Sequence, residues 1–275
     1  MNTLKMDRRI QILNALVEGN SIRSVEQMSG IHRDTIMRLM VATGQHCFNL
    51  LDQRIQHIQT KRIQVDEAWT YVGMKQKQAV RKAVRSPEIG DQYIFVALDA
   101  DTKLIPSFWV GKRTAENTLN FLKDLRWRID TERFQLTTDG FESYRVAVDE
   151  VFGIDIDYSQ LVKIYAGEGQ VGLERYSPSP FVAAIKTPIV GNPEDAHIST
   201  SFVERQNLTL RMSLRRLTRL TNAFSKKLAN LKAALALHFA HYNFVRVHRT
   251  LRVTPAMAAG ITDHVWGWKE LLFVR

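Results

Sequence analysis

The stretch RIQVDEAWTYV, residues 62–72, is where the sequence changes from helical periodicity to a strand-forming pattern. Apolar residues flank one polar residue at its start, and β-prone aromatic and branched residues continue the run over 69–72. Asp66 lies inside this run, although strands disfavour aspartate. Such a carboxylate is a candidate for chemistry. The alternative is that Asp66 ends a strand at the surface, with Glu67 beside it.

Strand and helix patterns alternate in the residues that follow. The predicted elements cover 93–98, 104–110, 114–125, 134–138 and 141–152, with a hairpin turn over 99–103. Together with residues 62–72, the order is three strands, a helix, a strand and a helix, which is a mixed α/β order. We therefore predict an α/β protein with a ribonuclease-H-like core over residues 61–262.

Two more acidic residues stand at positions that suit a functional site. Asp139 follows a predicted buried strand at its carboxyl end, where open α/β sheets place their sites. Glu204 lies near the start of a predicted helix and shares a face with Asn207, Arg211 and Arg215. The alternatives are that Asp139 belongs to a common Asp-Gly turn and that Glu204 is an acid favoured by the helix dipole.

Acids delivered by two strands and a helix can hold two divalent cations. We therefore predict a metal site formed by Asp66, Asp139 and Glu204. Hard carboxylate oxygens suit Mg²⁺, with Mn²⁺ as a substitute, and two ions about 3.5–4 Å apart can clamp both oxygens of an in-line phosphoryl displacement. The competing carboxylates are Asp99, Asp101 and Asp157.

Positive charge is concentrated in one segment of the chain. The 275 residues include 38 Lys and Arg against 28 Asp and Glu, a net charge of +10. Residues 205–262 carry eleven Lys and Arg and no acid, so the other 217 residues sum to −1. A block of one sign favours nucleic acid as the partner over a solvated basic face or an acidic membrane surface.

Two further features exclude whole classes of protein. The single cysteine, Cys47, excludes an internal disulfide framework and a multi-cysteine zinc finger. Apolar runs such as 233–237 are too short to span a membrane, and no apolar stretch follows the basic residues near the N-terminus as in a secretory signal. We therefore expect a cytoplasmic protein that associates with the nucleoid through DNA and has no membrane partner.

Residues 1–47 show the pattern helix, short helix, Gly-containing turn and helix, which is typical of a helix-turn-helix DNA-binding domain. Arg33, Thr35 and Arg38 would project from the start of the last helix toward base edges or phosphates in a major groove. The alternative is a small helical bundle that mediates dimerisation. The polar run over 48–60 is predicted to be a partly helical connector.

Several motifs occur together in the chain. They are VDEAW at 65–69, TTDG at 137–140, HISTSFVERQNLTLR at 197–211, and a YN-R-H-L-TP pattern over 242–256. The first three resemble the acidic motifs of bacterial insertion-sequence transposases with a DDE core, and residues 204–227 are similar to the insertion-sequence-one type. The fourth resembles the tail of many integrase-like transposases.

The resemblance implies a DNA transposase that cleaves phosphodiester bonds at transposon ends and joins the 3′-hydroxyl to target DNA. Asp66, Asp139 and Glu204 would then be the catalytic residues and hold two Mg²⁺ ions. Arg211 would bind a phosphate near the scissile bond, a contact that suits the planar fork of arginine. Asn207 would contact DNA or orient a ligand.

The implied partners are double-stranded DNA, as transposon ends and target, and further copies of the chain. Arg215 would add a DNA contact. Two ends need two active sites, so at least a dimer is expected on DNA. Two alternatives stay open: a catalytically silent helix-turn-helix regulator, and a metal-dependent nuclease on the same fold.

The sequence departs from the family pattern in two places. The insertion-sequence-one proteins that are best known carry a cysteine zinc finger, which Cys47 alone cannot form. The 64 residues between Asp139 and Glu204 exceed the spacing of compact cores. Within them, residues 166–196 are predicted to be an irregular insertion on the surface, and residues 263–275 are predicted to be a C-terminal tail.

Overall fold

Three helices precede the sheet in the computed structural model, which describes residues 4–166 and 180–273. They are α1 (Met6–Val17), α2 (Ile22–Ser29) and α3 (Arg33–Arg54). Ser21 caps α2 by accepting a hydrogen bond from the backbone N–H of Ser24, and Gly30 ends it in a left-handed conformation with φ 69°. The three predicted N-terminal helices are therefore present.

Helix α3 is longer than the sequence predicts. It runs for 22 residues through the predicted boundary at residue 47, because Cys47, Leu50 and Leu51 continue its buried face. The predicted connector over 48–60 is thus helical as far as Arg54. These buried residues share one hydrophobic cluster with helices much farther along the chain, so the N-terminal helices pack directly onto the rest of the protein.

Six strands form one mixed sheet. They are β1 (Arg62–Val72), β2 (Gly90–Asp99), β3 (Phe108–Gly111), β4 (Gln135–Thr138), β5 (Asp157–Tyr165) and β6 (Phe181–Val190). Their order across the sheet is β3-β2-β1-β4-β5-β6. β1 is parallel to β4 and β4 to β5, whereas β1–β2, β2–β3 and β5–β6 are antiparallel pairs. The predicted mixed α/β class is confirmed.

Helices cover both faces of this sheet. They are α4 (Gln76–Arg81), α5 (Ala115–Arg128), α6 (Glu142–Phe152), α7 (Ser201–Ser213), α8 (Leu228–Phe244), α9 (Pro255–Ala258) and α10 (Trp268–Phe273). Alternate residues of β1 face different clusters: Val65 packs with α5 and α6, whereas Ala68 packs with α7, α8 and the N-terminal helices. Asp66 therefore shares a face with Ala68, and Glu67 shares the opposite face with Val65.

Helix α8 is buried along most of its length, from Ala233 to Phe244. Near its end, Oδ1 of Asn243 accepts the Ile105 N–H over 3.1 Å, and Nδ2 donates to the Ile105 carbonyl over 3.0 Å. The Asn243 side chain thus bonds both the N–H and the carbonyl of Ile105, so these groups do not pair with a neighbouring strand. β3 begins at Phe108 and not at residue 104 as the sequence predicts. Among the helices of the described ranges, none is both long and apolar enough to cross a membrane.

The sequence patterns predict neither β5 nor β6. β6 lies within residues 166–196, so the prediction of an irregular insertion was wrong for Phe181–Val190. This edge strand is exposed along most of its length, so apolar alternation does not mark it, and an edge tolerates Pro188. Residues 167–179 of the predicted insertion lie outside the described residues.

Candidate functional site

Three carboxylates meet beside the carboxyl end of β4. One ligand oxygen each from Asp66, Glu67 and Asp139 lies within 4.8 Å of the others. Asp139 follows β4 directly, and β4 runs parallel to the first part of β1, which carries the other two acids. The structure therefore brings together two of the three predicted acids and adds Glu67, to which sequence reasoning assigned no role.

Each acid of this cluster is held by a different element. On one face of the sheet, Nδ2 of Asn207 on α7 donates to Oδ2 of Asp66 over 2.8 Å. On the other face, Glu67 lies beside the Tyr144 side chain of α6. The backbone N–H of Phe141 donates to Oδ1 of Asp139 over 3.0 Å, so this aspartate also forms the Asp-Gly turn given as its alternative role.

Arg113 links two of the three carboxylates. Its Nη2 lies 3.2 Å from Oε2 of Glu67 and 3.2 Å from Oδ2 of Asp139. The guanidinium carbon lies 4.0 Å from the centroid of the Phe141 ring, a contact that holds the charged group over the cluster. Arg113 lies between β3 and α5, where no motif marks it, so sequence reasoning had no means of finding it.

Burial disfavours negative charge in this cluster. Desolvation raises the pKa of Asp66 to about 6, and the neighbouring carboxylates add to the rise. Desolvation likewise raises the pKa of Glu67 to about 7, and the charge of Asp139 adds to it. Positive charge beyond that of Arg113 would therefore stabilise the cluster.

Three buried oxygens at the site lack a hydrogen bond of ordinary geometry among the residues that the structure describes. They are Oε1 of Glu67, the hydroxyl of Tyr144 beside it, and Oδ1 of Asn207. Buried polar atoms nearly always have a partner, and an orphaned oxygen is a place for a missing donor or cation. Carboxylate and amide oxygens are the ligands that Mg²⁺ takes in proteins, so the donor set fits a hard divalent cation.

Glu204 lies in the first turn of α7 but is not one of the three carboxylates within 4.8 Å. Both of its carboxylate oxygens lie 2.5 Å from Nζ of Lys163 on β5, and the Thr200 hydroxyl donates to Oε1 over 2.6 Å. The third acid of the predicted triad is thus neutralised by a lysine from the adjoining strand. Its charge still contributes to raising the pKa of Asp66.

The predicted basic face of α7 is only partly present. Arg211 is half-buried and donates from Nη2 to the Trp69 carbonyl over 3.4 Å. Arg215 does not share a helical face with Glu204, because α7 ends at Ser213 and the chain continues as a 3₁₀ turn. The prediction of one continuous helix through Arg215 was therefore wrong, although the side chain is exposed.

The three predicted DNA-reading residues lie at the start of α3. Arg33 and Arg38 are exposed, and Thr35 is half-buried. Nε of Arg33 lies 3.1 Å from Oε2 of Glu26 on α2, so this arginine also ties the two helices together. Nη2 of Arg38 donates to the Thr35 hydroxyl over 3.4 Å.

The competing carboxylates have partners of their own. Asp99 accepts backbone N–H bonds within the hairpin turn that follows β2. Asp101 pairs with Arg62, and Oδ1 of Asp157 lies 2.7 Å from Nη2 of Arg133. Each therefore stabilises local structure.

The acid-free segment 205–262 includes the buried helix α8, so its charges lie mainly on either side of that helix. Most of its basic side chains are exposed. They are Arg205, Arg215, Arg219, Lys226, Lys227, Lys232, Arg246, Arg249 and Arg252. Such exposed charges are available to a polyanion.

No protein-family model matches the chain, and no curated protein sequence does. Among solved structures, the chain is similar to a piggyBac transposase synaptic complex with hairpin DNA, with 10% identity over 99% of this chain and 71% of that chain and a TM-score of 0.39. It is also similar to a Mos1 transposase paired-end complex with the left transposon end, with 11% identity over 57% and 60% and a TM-score of 0.22. The C-terminal lobe of a budding yeast Argonaute matches with 7% identity over 70% and 51% and a TM-score of 0.23.

Proposed function

We propose that this protein is a metal-dependent DNA transposase that cleaves strands at transposon ends and joins the 3′-hydroxyl to target DNA. The observation that carries the proposal is the meeting of Asp66, in the middle of β1, with Asp139, after the neighbouring parallel strand. The strand order, with an antiparallel β2 between β1 and β3, supports the ribonuclease-H-like core that the sequence motifs imply.

In this proposal Asp66 and Asp139 hold Mg²⁺, or Mn²⁺ in its place, and Glu204 joins them after leaving Lys163. A bound divalent cation supplies charge neutralisation at the phosphate and lowers the pKa of an attacking water or hydroxyl. Asn207 keeps one oxygen of Asp66 in place through its amide. This hydrogen bond is partly buried, and reduced contact with solvent strengthens it.

Double-stranded DNA, at the transposon ends and the target, is the proposed substrate. Arg33, Thr35 and Arg38 would contact it from the start of α3, in a helix-turn-helix formed with α2. Arg211 and Arg215 would contact phosphates near the acids, and the other exposed bases of segment 205–262 would extend that surface. Two ends need two active sites, so we propose at least a dimer on DNA.

A strand-transfer assay tests the proposal. The substrate is DNA from the genomic ends that flank the gene, with Mg²⁺, and the wild type is compared with Asp139→Asn and with the exposed control Asp149→Asn. We expect joined product from the wild type and the control but not from Asp139→Asn. Cleavage without joining would favour a nuclease, and specific binding with neither reaction would favour a regulator.

A further inference from the structure

We propose that Glu67 is a ligand for a divalent cation, alongside Asp66 and Asp139, and that Arg113 is the counter-ion that the cation displaces. This inference rests on the proposed metal-dependent function. It goes further by naming a ligand outside the predicted triad of Asp66, Asp139 and Glu204, together with the side chain that neutralises the site before the cation enters.

The burial of Glu67 carries the first step. Its side chain is only 3% exposed; the Tyr144 hydroxyl is the neutral donor beside it, and Oε2 shares one nitrogen of Arg113 with Asp139. A buried carboxylate held by a neutral hydroxyl and a shared arginine is only partly compensated, and a bound cation would compensate it further. One oxygen of Glu67 lies within 4.8 Å of a ligand oxygen of Asp66 and one of Asp139. Metal–oxygen distances of about 2.1–2.5 Å let one cation span ligand oxygens up to about 5 Å apart.

The contacts of Arg113 carry the second step. One nitrogen, Nη2, serves both Glu67 and Asp139 at 3.2 Å each, in place of the two-nitrogen fork that binds a carboxylate most strongly. The side chain is 35% exposed, so it can move toward solvent without crossing the core. The ring of Phe141, 4.0 Å from the guanidinium carbon, holds it near the cluster.

These two roles affect cation binding in opposite directions. Removing the Glu67 carboxylate takes away a ligand, so affinity falls. Removing the Arg113 guanidinium takes away a competing positive charge, so affinity rises. An ion pair that takes no part in cation binding would leave the affinity unchanged when either partner is replaced.

The experiment is a titration of the full chain with Mn²⁺, followed by the electron paramagnetic resonance signal of the free ion. We expect Glu67→Gln to weaken binding at least about 10-fold and Arg113→Gln to strengthen it several-fold. The matched controls are Lys123→Gln and Glu150→Gln, which make the same charge changes in an exposed pair between α5 and α6, 2.9 Å apart. Both controls should bind as the wild type does.

The outcomes separate this inference from the proposed function. Wild-type affinity in Glu67→Gln, with binding lost in Asp139→Asn, would overturn the role of Glu67 and leave the metal-dependent function standing. Weaker binding in Arg113→Gln would overturn its role as a displaced counter-ion. Absence of Mn²⁺ binding in the wild type would overturn both proposals. A gain of affinity in Arg113→Gln cannot arise from misfolding, so the test does not depend on the stability of one variant.

Discussion

Nδ2 of Asn207 lies 2.8 Å from Oδ2 of Asp66, and this hydrogen bond joins α7 to the carboxylate cluster on β1. Asn207 is only 7% exposed. A side chain this buried is poorly placed to contact DNA directly. Of the two roles implied for Asn207 by the sequence motif, orientation of a carboxylate is therefore the one that its surroundings favour.

Replacing Asn207 by alanine should lower Mg²⁺-dependent strand cleavage by about 10–100-fold, because Asp66 loses the partner that orients it. DNA binding, measured by mobility shift, should not change. Asn14→Ala, at an exposed position of α1, is the control and should keep full activity. Full cleavage by Asn207→Ala would show that Asp66 needs no such orientation.

Gly44→Ala should destabilise the fold by at least about 2 kcal/mol, because a Cβ at this position overlaps the backbone carbonyl of Ala233. Helices α3 and α8 approach closely at this point, and backbone atoms cannot rotate away as a side chain can. Urea unfolding measures the change. Gly267→Ala, where nothing lies within 4 Å of the added Cβ, should stay within about 1 kcal/mol of the wild type. Equal effects of the two substitutions would rule out the overlap as the cause.

Acid should destabilise the protein through two buried histidines of α8. Burial lowers the pKa of His238 to about 3 and that of His241 to about 4, and the nearby positive charge of Arg246 adds to both shifts. The unfolded chain takes up these protons near pH 6.5 and the folded chain does not. Stability is therefore fully present above pH 6.5 and falls below it, by up to about 1.4 kcal/mol per pH unit for each histidine.

His238→Leu isolates the contribution of one of these residues. Neither ring nitrogen of His238 has a hydrogen-bond partner in the described part of the chain, so an apolar replacement should cost little at pH 7.5. Thermal unfolding between pH 7.5 and 5 should then show a shallower loss of stability than in the wild type. His57→Asn, which removes an exposed histidine that pairs with Asp130, measures the change in slope that a surface histidine produces, for comparison. An unchanged slope in His238→Leu would mean that the His238 ring takes up its proton as readily in the folded state as in the unfolded chain.

Arg38→Ala should weaken binding to the transposon ends more than binding to unrelated DNA, if Arg38 reads bases from the start of α3. Fluorescence anisotropy at several salt concentrations measures both affinities. Arg8→Ala, on the exposed surface of α1, is the control and should change neither. A uniform loss on all DNA, with a salt slope reduced by about 1, would instead assign Arg38 to a phosphate.

The meeting of Asp66 and Asp139 could be predicted from sequence. β1 and β4 have clear apolar patterns, and parallel neighbours deliver residues to the same region of a sheet. The start of the helix predicted over 114–125 could be predicted as well, because threonine is a favoured N-cap and the Thr114 hydroxyl accepts the Asn117 N–H. In these places the local pattern and the tertiary structure agree.

The counter-charges of the site could not be predicted in this way. Lys163 lies on a part of β5 that is half-exposed and has no alternating pattern, and Arg113 lies between two elements. Both reach the acids through long side chains whose direction depends on packing and not on spacing. Glu67 was missed for another reason. Side chains alternate along a strand, so Glu67 is expected on the face of the sheet opposite Asp66. The two side chains lie in one cluster because β4 ends beside them and Asp139 follows it.

Helix α3 joins the exposed arginines at its start to buried residues in its second half without interruption, over about 33 Å. A residue inserted or deleted between Arg38 and Cys47 would rotate the exposed arginines by about 100° about the helix axis and move them by about 1.5 Å. The number of residues in α3 therefore fixes the direction in which the proposed DNA-contacting arginines point, relative to the acids. An insertion or deletion keeps the direction in which the arginines point only if it adds or removes whole helical turns. Two turns correspond to about seven residues.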